Sequence, residues 1–183
     1  MIAVSCSPED LINQDEKFLD TENHRTLSGS VLKSNTENSI SDLKQIIIDS
    51  SIFIASTEMN EQSAKLVLQP IIYETLQILY DDGITEQEII ESFGSLENPA
   101  IALVGIGITA DNTNVQVQSE DPDPINCLGR AYLGMDLQKG FWSQFSNRRV
   151  MLRAIGKAAS RTLGWVGTAL LVYDFADCMG WLD

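Results

Sequence analysis

One histidine, His24, is all the imidazole this 183-residue chain has. It stands in an acidic, polar stretch without clustered apolar neighbours. A Ser-His or Cys-His nucleophilic pair needs a positioned imidazole, and a His-based zinc site needs several ligands, so neither chemistry is expected. Basic residues are also few: 12 Lys and Arg against 26 Asp and Glu leave a net charge of −14. Binding a phosphate backbone needs a basic footprint, so nucleic acid is excluded as a partner class. Long apolar runs are missing too. The charge-free run 163–173 has 11 residues and is bounded by Arg161 and Asp174, where a spanning helix needs about 20. Aromatics make up only 7%. There is no Gly-rich phosphate loop, HExxH or GxSxG. Gly105-Ile106-Gly107 lacks the third glycine of a dinucleotide fingerprint. No repeat of 20–50 residues is visible. No cofactor is implied, and catalysis is not expected.

What is present points to an all-α protein: a small helical bundle with a C-terminal helical hairpin, preceded by a disordered tether. The apolar fraction, 44%, is ordinary for a globular domain of this length. Residues 7–38 are acidic, rich in Ser, Asn and Thr, and too poor in apolar residues to offset the entropy of ordering. The expected division is a tether over 1–38 and a helical domain over 39–183.

Within the domain the punctuation is local. Ser41 is a candidate cap for a helix through Leu43, Ile46, Ile47 and Ile54, although the β-branched run 46–54 also suits a strand. Leu66, Ile72, Leu76, Leu79 and Tyr80 outline a second helix, in which Pro70 either makes a kink or opens a new helix. Asp82-Gly83 stops it. Thr85 and Glu88 form a capping box for a short helix that Gly94 ends. Asn98-Pro99 opens the apolar segment 100–110, read as a buried helix with a buried strand as the alternative. Residues 111–123 read as a loop, and its acids lack the spacing of a calcium loop. Asp123-Pro124 opens another helix, expected to run through Cys127 to Leu133 and to stop at Gly134. A short amphipathic connector with Phe141, Trp142 and Phe145 follows.

The block 147–181 is the most apolar part of the chain and also the most basic. Residues 147–173 carry five cations and no acid, whereas residues 1–100 carry 18 acidic and 5 basic side chains. Read as a helix, or as two broken near Gly164, it places Arg149, Arg153, Lys157 and Arg161 four apart in one stripe. Gly156, Ser160, Gly164 and Thr168 make a parallel small-residue ridge along which another helix could approach closely. This ridge resembles glycine-zipper segments of bacteriocins and membrane-active toxins. The stripe implies an acidic protein or surface as partner, unless acidic neighbours in the fold neutralise it.

At the other end, Ala3-Val4-Ser5-Cys6 resembles a bacterial lipobox, and Glu9-Asp10 resembles the export signal of surface lipoproteins in the Bacteroidetes. Only five residues, Met1 to Ser5, precede Cys6, short of the basic and apolar regions a signal peptide needs. With the acidic tether, the ESFGSLENP junction and the DCMGW ending, the chain resembles lipoproteins of flavobacterial type with a truncated leader. The resemblance brings no known activity. It implies lipidation at Cys6, export, and a membrane met through the lipid anchor. Cys127 and Cys178 then remain, in a compartment where disulfides persist. Both fall in expected helices among apolar residues, so they are expected to pair.

The expected function is therefore a non-enzymatic, lipid-anchored surface module that binds a partner. The competing expectation is a membrane-active antibacterial protein acting through the C-terminal block.

Overall fold

The computed structural model describes residues 28–114, 124–132, 146–159 and 164–182. Cys6, His24, the connector aromatics, the expected stop at Gly134, and Ser160 and Arg161 lie outside the described residues, as does most of the 111–123 stretch. Those described form seven α-helices and no strand: α1 Ser28–Ser56, α2 Glu61–Asp81, α3 Glu86–Phe93, α4 Ile101–Asn114, α5 Pro124–Ala131, α6 Arg148–Ala159 and α7 Trp165–Cys178. Of the two segments for which a strand was the alternative, 46–54 is helical throughout and 100–110 is helical from Ile101.

Among the described side chains of α1 the buried ones are Ile40, Leu43, Ile47, Ser50, Ser51 and Ile54, while Ile52 and Phe53 are exposed. That recurrence of three and four residues overrides the β-branched composition. The helix starts at Ser28, so it enters the stretch read as tether, and Ser41 sits inside it and caps nothing. In α2 the box is made by Asn60 and Ser63: each side chain accepts a hydrogen bond from the other's backbone N–H, at 3.0 and 2.9 Å. Its buried face is Ala64, Val67, Leu68, Ile71, Ile72, Thr75, Ile78 and Leu79. Leu66 and Tyr80, expected on that face, are 64% and 36% exposed. Pro70 lies within α2 on its exposed side and opens no new helix.

The Thr85–Glu88 capping box forms as expected, and Gly94 closes α3 at φ 78°. Asn98 then ties two helix ends together. Its Nδ2 donates to the Phe93 carbonyl at 2.7 Å, and its Oδ1 accepts from the Ala100 N–H at 2.9 Å. One amide thus satisfies groups that both ends would otherwise leave orphaned.

All ten residues from Ile101 to Ala110 are buried, because α4 is enclosed by α1, α2, α5, α6 and α7. Its last turn runs to Asn114, into the stretch read as loop. Glycines allow the close approaches: Thr75 of α2 packs on Gly105, and Met151 and Tyr132 pack on Gly107. The buried Tyr132 hydroxyl donates to the Leu103 carbonyl at 2.6 Å, and burial pushes its pKa well up. Cys127 of α5 and Cys178 of α7 are bonded, with Cα atoms 5.6 Å apart.

The C-terminal block is two helices in sequence, each with its own neighbours. α6 packs on α3 and α4, and α7 packs on α1, α2, α4 and α5. None of the helices among the described residues is long and apolar enough to cross a membrane.

Candidate functional site

The basic stripe begins at the N-terminus of α6, where cations oppose the helix dipole and must be held by other charges. Arg148, which lies outside the four-residue series, is the best held. Its Nη1 donates to Asp111 Oδ2 at 3.0 Å, and its Nε lies 3.5 Å from Asp82 Oδ2. With a side chain only 18% exposed, it joins the ends of α2, α4 and α6. Sequence spacing had no means of finding it, because both partners are distant in the chain.

Arg149 is held next. Its Nε donates to Glu88 Oε1 at 2.9 Å and its Nη2 to the Gly83 carbonyl at 2.8 Å. Glu88 is already fixed by its capping box: the Thr85 backbone N–H donates to Oε2 at 2.9 Å and the Thr85 hydroxyl at 3.1 Å. The backbone donor first, and then the Arg149 guanidinium, hold the Glu88 carboxyl down to about 2. A carboxylate so stabilised stays ionised near neutral pH and is poorly matched to acid–base work. Glu91, one turn on, accepts from Gln87 Nε2 at 3.1 Å. Asp174 and Asp177, three apart on α7, are both exposed.

Beyond Arg149 the stripe opens to water. Arg153 and Lys157 are exposed on the outer side of α6, and Arg153 makes no salt bridge among the described residues. They line one side of a groove of about 420 Å³, with Glu88, Glu91 and Ser92 of α3 opposite and Gly156 in its floor. Gly156 is there for a steric reason: a Cβ would stand 2.4 Å from the Ser92 carbonyl oxygen.

The expected ridge therefore divides. Gly156 is buried against α3, Thr168 is buried in α7, and Gly164 is the exposed N-cap between the helices, extended at φ −81° and ψ −178°. That extended residue breaks the helical period, so the spacing of four no longer aligns positions on either side. The Thr168 Oγ1 and Ser51 Oγ atoms are buried with no hydrogen-bond partner among the described residues.

The chain matches no protein-family model, no curated protein and no solved structure.

Proposed function

We propose that this chain is an exported, non-catalytic binding module of the cell surface. In this reading Cys6 carries the lipid anchor, the polar residues after it form the tether, and the helical domain offers the Arg153–Lys157 edge of α6 to an acidic protein or surface. The observation that carries the reading is the Cys127–Cys178 bond. Such bonds persist in oxidising compartments and are rare in the cytosol. The division of labour along α6 supports the rest: Arg148 and Arg149 are engaged by the fold, while Arg153 is exposed and without an ion pair among the described residues.

Metabolic labelling with palmitate tests the anchor. The native protein should take up label and the Cys6→Ala variant should not; label persisting in that variant removes the anchor. A polyglutamate surface tests the binding edge. Retention should be salt-sensitive and should weaken about tenfold in the Arg153→Gln, Lys157→Gln double variant. Unchanged retention rejects the edge.

One observation favours a membrane-active reading instead. α6 buries Met151, Leu152 and Ile155 on one side and exposes Arg149, Arg153 and Lys157 on the other, the pattern of an interfacial helix once detached. Leakage from dye-loaded anionic vesicles, with and without reductant, separates the two: release of dye favours this reading, and its absence favours the binding module.

A further inference from the structure

A second cleft lies away from the α3–α6 groove, where α2 meets the start of α7. The Lys65 ammonium stands 5.5 Å from the centre of the Trp165 ring. The same nitrogen is 3.5 Å from a carboxylate oxygen of Glu97, on the turn before α4. Beside this pair opens a cleft of about 220 Å³, walled by Ile72, Tyr73 and Leu76 of α2. An indole face and a carboxylate around one nitrogen, with a phenol and apolar walls alongside, is the chemistry that recognises organic cations. In this chain its own lysine occupies the cation position.

That lysine is weakly held. The Lys65 and Glu97 side chains are 47% and 75% exposed, and exposed ion pairs of this kind contribute little in water. A primary ammonium is also compact and strongly hydrated, so it gains little from apolar walls. A quaternary ammonium differs in both respects. Its charge is sheathed in methyl groups, which suit Ile72, Leu76 and the two aromatic rings, and it forgoes few hydrogen bonds on leaving water. The net charge of −14 further raises the local concentration of cations and lowers that of anions.

We propose that the Trp165–Glu97 cleft binds a small quaternary ammonium compound, and that Lys65 is an internal competitor that the ligand displaces. The proposal is independent of the α6 edge and of the lipid anchor.

The test is a choline chloride titration of the full chain, read by the indole N–H resonance of Trp165 in proton–nitrogen NMR. Sodium chloride at matched ionic strength serves as the reference, and Trp165→Phe identifies the resonance. Three results are expected. Choline shifts the resonance saturably, whereas its uncharged isostere, with tert-butyl in place of trimethylammonium, binds about fivefold more weakly. Glu97→Gln weakens choline binding about fivefold. Lys65→Met, which keeps the apolar stem but removes the competing charge, tightens it about threefold. Both substitutions fall at exposed side chains and leave the core intact. A flat titration to about 50 mM in both the native chain and Lys65→Met overturns the proposal, since binding weaker than that has little selectivity. Equal binding of the isostere, or weaker binding in Lys65→Met, overturns it as well.

Discussion

α6 and α7 come from one run of sequence, yet they occupy opposite kinds of place. α6 lies against α3 and α4 and leaves Arg149, Arg153 and Lys157 exposed, whereas α7 sits among four helices and is tied by Cys178 to α5. The apolar and small residues that dominate the run do not separate the two. α7 starts afresh at Gly164, whose extended backbone is its N-cap. A pattern of small residues has meaning only within one continuous helix, and it lapses at such a break. α7 is accordingly held by burial and a covalent bond, and α6 by close backbone approach and a chain of ion pairs.

The contrast is broken most strongly by removing the bond on the α7 side. The Cys127–Cys178 bridge spans a sequence separation of 51, for which the chain-entropy relation gives about 4 kcal/mol. The Cys127→Ala, Cys178→Ala double variant should lose stability of that order in reversible thermal or denaturant unfolding. Reductant should lower the native protein's midpoint towards the variant's and leave the variant's unchanged. Were reductant to leave the native midpoint in place, the bond would not be what holds α7.

On the α6 side the largest effect should come from Gly156. Its neighbour is the backbone oxygen of Ser92, 2.4 Å from where a Cβ would stand, and a backbone cannot rotate aside as a side chain can. Gly156→Ala should destabilise by about 3 kcal/mol, the upper part of the usual range for overpacking. Gly164→Ala should be close to neutral, because φ is negative there and nothing lies within 4 Å of the added atom. Equal costs at the two glycines would restore the continuous ridge that spacing alone suggests.

The elements legible in the sequence are those whose cause is local. The Thr85–Glu88 box, the Asn98 amide and the glycines at 83 and 94 act over a few residues, and each does in the structure what its type and position imply. The enclosure of α4 was legible because no side of it offers a polar face before Thr109. The face of α2 was only partly legible: Leu66 and Tyr80 are apolar but exposed, and the true face is set by which neighbours arrive. Least legible was the fate of the arginines. Arg149 finds Glu88 and Gly83 across 61 and 66 positions, and Arg148 was outside the stripe altogether. Periodicity shows which residues share a helix face, and not which charges from other elements meet them.

The smallest effect, and the one that sharpens the contrast most, is the pH response of the α3–α6 clasp. The Glu88 carboxyl falls from its ordinary 4.5 to about 2 in the fold. The folded state therefore releases this proton more readily than the unfolded one, and the group stabilises the fold above its ordinary value. That contribution should fade as pH falls from about 4.5 towards about 2 and be absent below. Glu74 on α2 runs the other way. Burial first, then Asp42 and Asp81, raises its pKa, so it favours the fold when protonated and opposes it as it ionises with rising pH. Acid titration of the native chain against Glu88→Gln resolves the two. The stability difference between them should shrink across the window from 4.5 to about 2, while Glu74's opposite contribution persists in both. Were the difference unchanged across that window, Glu88 would be a solvated surface acid, and close packing at Gly156 alone would hold α6 to α3.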